Sequence, residues 1–170
     1  NEDQLQQMFA VCSSSLERAL LMLLVSTGLR ASECCNLTLD DVDLHAQTLL
    51  VRLGKGNKRR SVGLNTLTIE ALKVYLGERP KHAPKTLCLN QLGEPMDRHG
   101  LRHRVERLGK LAGVELRPHA LRRAFVTINA NKGRSLVMLQ MACGHANIKT
   151  TRAYCRTTEE EVIAAMKDWI

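Results

Sequence analysis

The sequence is poor in aromatic residues, with one Trp, two Phe and two Tyr among 170 residues. Because tyrosine is so rare, Tyr75 and Tyr154 each call for an explanation. None of the six cysteines forms a Cys-x-x-Cys pair, and Cys34 and Cys35 are adjacent, which suits neither a zinc module nor a disulfide framework. We interpret the cysteines as small buried residues of a protein in a reducing cytosol, and therefore expect a cytoplasmic location.

Other missing features exclude further classes. No apolar run approaches the ~20 residues of a membrane-spanning helix, and we recognise no signal peptide. The Gly-x-x-x-x-Gly-Lys-Ser/Thr pattern of a nucleotide-binding loop is absent. The chain has no repeats and no low-complexity segments, and its length suits one domain with a sizeable core. We therefore expect a single domain over residues 1–170.

Positive charge is in excess. The formal net charge is +8 at pH 7, and the isoelectric point is about 9.5. This balance favours a polyanionic partner, with nucleic acid as the first candidate. A protein that is basic and soluble, with no such partner, is the alternative.

Hydrophobic periodicity predicts a mainly α (α+β) protein. The predicted helices are two within residues 2–27, a short one reaching Leu37, and others at 66–76, 97–112, 118–131 and 136–143, with two more beginning near Asn147 and Thr157. Thr27 or Ser32 is the expected cap of the short helix, and Asp97 that of the helix at 97–112. Residues 48–53 and 60–64 read as a β-hairpin, and residues 86–89 as a possible third strand of a small antiparallel sheet.

His119 and Arg122 are the pair on which the functional interpretation depends. Pro118 suits the first position of a helix, and residues three apart then lie on one face. Arginine supplies a planar fork of donors, and histidine moves a proton near neutral pH. The pair suits a phosphate clamp.

Two further cations stand at structurally marked positions. Arg30 follows Gly28 at a helix junction, where it either caps the preceding helix carbonyls or serves as a rigidly held phosphate ligand. Lys55 lies between two glycines at the predicted hairpin tip, where the backbone can approach a ligand closely. A solvated lysine is the more common outcome at such a tip.

The two tyrosines differ in their surroundings. Tyr75 borders an apolar helix stripe, so we expect it to pack in the core. Tyr154 follows His145 and lies among Lys149, Arg152 and Arg156. A phenol, with a pKa of about 10, needs cationic neighbours to act as a nucleophile at neutral pH.

A metal site has little support in the sequence. His99 and His103 have the four-residue spacing of a metal-binding pair. They lie among arginines, with only Glu106 nearby, so we predict no metal there.

Taken together, these segments resemble the catalytic domain of the tyrosine recombinases, the phage-integrase and Xer-like family. The matching segments, in order, are Thr27-Gly28-Leu29-Arg30-Ala31-Ser32-Glu33, the Gly54–Lys58 turn, His119-Ala120-Leu121-Arg122-Arg123, Leu139–His145 and Thr150–Tyr154. The resemblance covers nearly the whole chain, and implies a helical recombinase fold with a small three-stranded antiparallel sheet.

The resemblance also implies roles for six residues. Tyr154 would attack the scissile phosphate and leave a 3′-phosphotyrosine and a free 5′-hydroxyl. Arg30 and Arg122 would hold the non-bridging oxygens, and Lys55 would protonate the leaving oxygen. His119 would assist proton transfer at the tyrosine, while His145 would hydrogen-bond the phosphate. Such chemistry needs neither ATP nor a metal ion, so no cofactor is expected.

The implied partner is double-stranded DNA, bound by a homotetramer on paired sites. We expect further DNA contacts from Lys58, Arg59, Arg98, Arg102 and Arg123. The apolar face of the final helix would dock on its own core or on a neighbouring protomer. Many family members have histidine where this chain has Arg123, a departure that concerns only the tuning of the site.

The sequence lacks the family's amino-terminal core-binding domain, so we expect this chain to be the catalytic half of a longer protein. The leading hypothesis is a site-specific DNA recombinase. The alternatives are a type IB topoisomerase-like relaxing enzyme and a module that binds DNA without cleaving it.

Overall fold

The computed structural model describes residues 2–52 and 59–144, which form seven α-helices and three strands. The helices are α1 (Glu2–Ala10), α2 (Ser15–Thr27), α3 (Ala31–Cys35), α4 (Thr66–Glu78), α5 (Arg98–Leu111), α6 (Pro118–Asn131) and α7 (Leu136–Cys143). The strands are β1 (Val42–Asp43), β2 (Thr48–Arg52) and β3 (Arg59–Gly63), preceded by a 3-10 turn at Leu39–Asp41. The predicted fold class is confirmed. None of the described helices is long and apolar enough to cross a membrane.

Side-chain caps set the starts of several helices. The Ser14 hydroxyl accepts a hydrogen bond from the Glu17 amide at 3.2 Å, and the Asp97 carboxylate accepts one from the Gly100 amide at 2.7 Å. These contacts satisfy amides in the first helical turn that have no partner within the helix. Capping residues therefore fix the starts of α2 and α5, and Asp97 caps α5 as the sequence predicts.

The sheet is antiparallel, with the order β1-β2-β3. In the predicted hairpin of β2 and β3, Val51 pairs with Arg60 and Arg52 pairs with Arg59. The prediction of a third strand at residues 86–89 is wrong, because the third strand is β1. Residues 86 and 89 form only isolated bridges, to Thr38 and Pro95. The apolar character of this segment reflects burial beside the end of α3 rather than sheet pairing.

Helix α2 lies at the centre of the molecule and packs against α4 and α6. Its leucines at positions 20, 21, 23 and 24 are almost wholly buried. A second apolar cluster joins α6 to α7 through Phe125, Val126, Leu139 and Cys143. The carboxyl ends of α2 and α7 are thereby both brought against α6.

Buried cysteines and Tyr75 contribute to the core, as predicted. Cysteines 34, 35, 88 and 143 are buried, Cys12 is half-buried, and all five are free thiols. The Tyr75 hydroxyl donates a 2.8 Å hydrogen bond to the main-chain oxygen of Leu87, and the residue is buried. Tyr75 is thus a packing residue. Cys155 lies outside the described residues.

Candidate active site

The turn between α2 and α3 places the first predicted arginine. Gly28 ends α2 in the left-handed conformation, with φ of 64°. Arg30 is then the N-cap of α3, and its main-chain amide donates to the Glu33 carboxylate at 2.8 Å. The expectation that Thr27 or Ser32 caps this helix is wrong, because α3 begins directly after Arg30. Thr27 is the last residue of α2, and Ser32 lies within α3.

Close packing at this turn leaves no space for a side chain at Gly28. A Cβ atom there would lie 2.6 Å from Cδ1 of Phe125 and 3.1 Å from Sγ of Cys143. Because α6 and α7 supply those two atoms, the glycine allows the turn to contact both helices. The turn that carries Arg30 is thus packed directly on α6, which carries Arg122, and on α7.

Arg122 lies inside this contact and is only 3% exposed. Its Nη1 donates to the main-chain oxygen of Gly28 at 2.5 Å, and its Nη2 to that of Cys143 at 2.7 Å. Burial lowers the pKa of the guanidinium, as do the neighbouring Arg30 and Arg60. An arginine remains charged under such a shift, so the site holds a buried cation.

Glu33 is a carboxylate that lies against three arginines of the described structure. Its Oε1 accepts from Nη1 of Arg30 at 2.8 Å, and Arg60 donates to both of its oxygens, at 3.0 and 2.9 Å. Nη1 of Arg122 lies 3.9 Å from Oε2. Burial alone would raise the pKa of Glu33, but hydrogen bonds from Arg60 and from the Arg30 amide lower it. We call Arg30, Arg60, Arg122 and Glu33 the arginine cluster.

The arginine cluster also holds the end of α7. Arg60 donates to the main-chain oxygen of Ala142 at 2.8 Å, Arg122 to that of Cys143 at 2.7 Å, and Arg30 to that of Gly144 at 3.2 Å. The last carbonyls of a helix have no partner within it and carry partial negative charge, so three guanidinium groups are suitable partners. Three consecutive carbonyls are thus each bound by a different arginine.

Two of the six predicted catalytic residues, Arg30 and Arg122, meet in this cluster. Arg30 does not cap α2, which was the alternative, since its side chain bonds Glu33 and Gly144 instead. Its side chain is 44% exposed, so it can reach a bound anion. His119 is exposed one turn before Arg122 on α6, and lines a pocket together with Ala31, the residue after Arg30.

The other predicted catalytic residues, Lys55, His145 and Tyr154, lie outside the described residues, as does the predicted DNA contact Lys58. The described chain resumes at Arg59, after the segment predicted to form the hairpin turn, and ends at Gly144, directly before His145. The arginine cluster therefore lies next to both of the segments that carry these residues. Arg60 is two positions after Lys58, and Gly144, whose oxygen Arg30 binds, directly precedes His145.

A basic pocket lies beside the arginine cluster, between the starts of α5 and α6. Its volume is about 390 Å³, and its lining includes the predicted DNA contacts Arg98 and Arg102, together with Arg117 and His119. Arg59 is exposed at the start of β3. Arg123 lies elsewhere, on a groove between α1 and α6, so the structure does not bring it to the basic pocket.

Sequence reasoning missed Arg60 and gave Glu33 no role of its own. A signal was present for both. Arg60 alternates with Val62 on the inward face of β3, where a charged residue needs a partner. Glu33 lies three residues after Arg30, and therefore on the same side of a short helix. Among the described residues, no group of three or more histidine, cysteine, aspartate or glutamate side chains is placed to hold a metal ion.

Comparison with known proteins identifies relatives across nearly the whole chain. The family model of the "Phage integrase family" matches residues 1–161. The tyrosine recombinase XerC of Bacillus subtilis (strain 168) is 36% identical over 173 aligned residues, which cover 94% of this chain and 57% of XerC. The tyrosine recombinase XerA of Pyrococcus horikoshii is 29% identical, over 98% of this chain and 59% of XerA. The chain thus spans a little over half the length of the curated relatives it matches.

Solved structures agree with this comparison. A crystal structure of XerA recombinase superimposes with a TM-score of 0.88 at 30% identity, covering 98% of this chain and 63% of that one. XerH site-specific recombinase in a pre-cleavage complex with its difH substrate gives 0.81 at 30% identity, over 99% of this chain and 52% of XerH. The Tn1549 transposon integrase in complex with transposon right-end DNA gives 0.82 at 26% identity, over 99% and 63%.

Proposed function

Because the chain belongs to the phage integrase family, we propose that it is the catalytic domain of a site-specific DNA recombinase. It breaks and rejoins DNA strands through a 3′-phosphotyrosine intermediate. One observation carries this proposal: Arg30 and Arg122, which are far apart in sequence, meet at Glu33 and at the end of α7. The relatives bear recombinase and integrase names, which favours this function over topoisomerase-like relaxation or binding without cleavage.

The proposed reaction is a transfer of the phosphoryl group between two oxygens. The phenolic oxygen of Tyr154 attacks the scissile phosphorus, the bond from phosphorus to the 5′-oxygen breaks, and the DNA 3′ end becomes joined to the tyrosine. His119 assists removal of the phenolic proton, and Lys55 donates a proton to the leaving 5′-oxygen. Attack by that 5′-hydroxyl, or by one from a partner strand, reverses these steps and reseals the DNA.

The arginine cluster supplies the charge that this reaction requires. It contains three guanidinium groups and one carboxylate, and therefore keeps an excess of positive charge for an incoming phosphate. Fixed cations aimed at developing negative charge stabilise the transition state, and they act more strongly in a site that excludes water. Arg122 keeps N–H donors beyond the two used by Gly28 and Cys143, and Arg30 is exposed enough to turn toward an anion. His145 adds a hydrogen bond to the phosphate in this proposal.

The DNA backbone would continue across the basic pocket. Arg98, Arg102 and Arg117 approach one another there, next to His119, so phosphates flanking the cleaved one would meet cations from α5 and α6. Lys58 and Arg59 would contact the duplex from the predicted hairpin, whereas Arg123 lines the groove between α1 and α6 and lies outside this DNA path. Affinity for DNA should then fall steeply with salt, because each neutralised phosphate releases counterions.

We place the partner contact of a homotetramer at the groove between α1 and α6. Its volume is about 690 Å³, and Leu5, Met8, Leu116 and Ile128 contribute apolar lining. The apolar face predicted for residues 162–170 is a suitable occupant, supplied by a neighbouring protomer on paired DNA sites. Removal of those residues should then abolish assembly of two DNA sites and leave binding of one site intact. We also retain the expectation of a cytoplasmic location.

The test is covalent capture of the full-length protein on DNA. A pool of nicked duplexes with a randomised core traps a covalent adduct, since the short cleaved fragment diffuses away before religation. Wild-type protein should form the adduct, Tyr154→Phe should form none, and Tyr75→Phe, which changes the other tyrosine, should retain it. Absence of an adduct with wild-type protein, or its persistence in Tyr154→Phe, would overturn the proposal.

A second assay separates recombination from relaxation. With two copies of the selected site on one supercoiled plasmid, a recombinase yields recombinant products that depend on both copies. Relaxation with no recombinant product would favour the topoisomerase-like alternative.

A further inference from the structure

Arg60 is the most extensively bonded arginine of the cluster, although the proposed chemistry gives it no catalytic role. Its Nη1 and Nη2 donate to the two oxygens of Glu33 at 3.0 and 2.9 Å, and its Nε donates to the main-chain oxygen of Ala142 at 2.8 Å. The side chain is 10% exposed. The two-point contact fixes the plane of the guanidinium, which a lysine at this position cannot reproduce.

These contacts join three parts of the proposed site. Arg60 lies near the start of β3, five positions after Lys55 along the chain. Through Glu33 it reaches α3, where Arg30 is the N-cap, and through Ala142 it reaches the end of α7, three positions before His145. One side chain thus links the hairpin, the first arginine segment and the segment that leads to the tyrosine.

The backbone at the end of α7 is shaped to accept this side chain. Gly144 has φ of 62°, and a Cβ atom there would lie 2.9 Å from Nη1 and 3.2 Å from Cζ of Arg60. A side chain at position 144 would therefore displace the guanidinium. Absence of a side chain at Gly144 lets Arg60 lie against the main chain.

Charge explains what Arg60 does for its neighbours. Its two-point ion pair neutralises most of the Glu33 charge, and thereby lowers the pull of that carboxylate on Arg30 and Arg122. If Arg60 were absent, Glu33 would be a buried carboxylate with Arg30 as its remaining close partner among the described residues, and Arg122, at 3.9 Å, would be the next nearest cation of the cluster. Glu33 would then hold Arg30 more tightly and draw Arg122 toward itself, so both guanidinium groups would be less available to an incoming phosphate.

We propose that Arg60 is a positioning residue for phosphoryl transfer, which holds Glu33 and the end of α7 so that Arg30 and Arg122 remain directed at the scissile phosphate. This inference rests on the proposed recombinase function. Arg60 acts through Glu33 and the end of α7, because each of its three side-chain nitrogens already donates to a protein oxygen there.

The test compares Arg60→Lys with Arg52→Lys in the full-length protein, on the nicked duplex selected by adduct capture. Arg52 is the matched control, because it is on the adjacent strand and its Nε pairs with Asp41 at 2.6 Å, outside the arginine cluster. Single-turnover cleavage with protein in excess gives the cleavage rate at saturation and the Kd for DNA separately. We expect Arg60→Lys to slow cleavage by about 100-fold while Kd changes by less than about threefold, and Arg52→Lys to change neither.

A substrate change tests whether the loss passes through the arginines. A methylphosphonate at the scissile position removes one negative charge, and so reduces the need for two oriented cations. On that substrate we expect the ratio of wild-type to Arg60→Lys rates to fall from about 100 to below about 10. A purely structural defect would slow both substrates equally.

Several outcomes would overturn the inference. Cleavage by Arg60→Lys at the wild-type rate would show that two-point contact with Glu33 is not needed. A weakened Kd with an unchanged rate at saturation would make Arg60 a DNA contact, and equal slowing on both substrates would make it a folding residue. If wild-type protein forms no adduct, the proposed function itself fails, and this inference fails with it. An adduct that forms at the same rate in wild-type protein and in Arg60→Lys would instead contradict this inference alone.

Discussion

The guanidinium of Arg122 donates a 2.7 Å hydrogen bond to the main-chain oxygen of Cys143, and both residues are almost wholly buried. The bond joins α6 to the end of α7 at the centre of the arginine cluster. It also gives Arg122 a part in folding, beyond the ligand role that its motif suggests.

Arg122→Ala should therefore reduce stability as well as activity. Loss of two hydrogen bonds from a charged donor, with the Gly28 and Cys143 oxygens left buried, should lower the free energy of unfolding by about 3 kcal/mol. Urea unfolding at neutral pH measures this. Arg134→Ala, at an exposed position just after α6, should change it by less than about 0.5 kcal/mol. Equal stability of the two variants would contradict a structural part for Arg122.

Gly28→Ala should be more harmful than the same change at another glycine of left-handed conformation. The new Cβ would lie 2.6 Å from Cδ1 of Phe125, in addition to the strain at φ of 64°. Gly133 is the matched control, with φ of 74° and no atom within 4 Å of the position that a Cβ would take. Gly133→Ala should cost about 1 kcal/mol from strain alone, and Gly28→Ala about 2 kcal/mol more. Denaturant midpoints that coincide would show that the Phe125 ring moves aside at little cost.

Acid should weaken the fold through Glu17, whose ordinary pKa is 4.5. Burial alone would raise the pKa of this carboxyl, but hydrogen bonds from Ser13 and the nearby Arg107 lower it, and Arg104 also donates to it at 3.0 Å. A group with a lower pKa in the folded state binds fewer protons there, so its stabilisation is present above the unfolded-state pKa and is lost as pH falls through the folded-state pKa.

The wild-type free energy of unfolding should thus decline below about pH 4.5, and Glu17→Gln should flatten that decline. Urea titrations at a series of pH values provide the measurement. Glu115→Gln, which changes a carboxyl that is 91% exposed, should leave the wild-type pH profile nearly unchanged. The prediction fails if the Glu17→Gln and wild-type profiles run parallel through the acid range.

Tyr75→Phe should affect stability only. It removes the hydroxyl that donates to the Leu87 oxygen at 2.8 Å, and leaves that oxygen buried, at a cost of about 1.5 kcal/mol. Single-turnover cleavage at a temperature where the variant is fully folded should match the wild type. A slowed cleavage step in folded Tyr75→Phe would contradict its assignment as a packing residue.

Local patterns predicted most of the helices well. The ranges of α6 and α7 follow from Pro118 at the first helical position, the apolar spacing, and the glycines that follow each helix. Such signals act over a few residues, and the sequence displays them directly. The third strand was misplaced because burial at residues 86–89 looks, in sequence, like an inward-facing strand.

The candidate site was predictable only in part. The motifs identify Arg30 and Arg122, because each lies in a recognisable local pattern. The bond from Arg60 to Ala142 joins residues 82 positions apart, and no local pattern specifies such a contact. The shared carboxylate of Glu33 is likewise a product of the tertiary fold, in which β3, α3 and α7 meet.

The three carbonyls at the end of α7 have a consequence for how the chain tolerates mutation. Main-chain oxygens are the same whatever residue carries them, so substitutions at positions 142 and 143 that keep the helix in place would leave their bonds to Arg60 and Arg122 intact. Related chains can therefore differ in the side chains around the site while the guanidinium groups keep their positions. Evolution can change the surroundings of the proposed phosphate site without moving the arginines of the cluster.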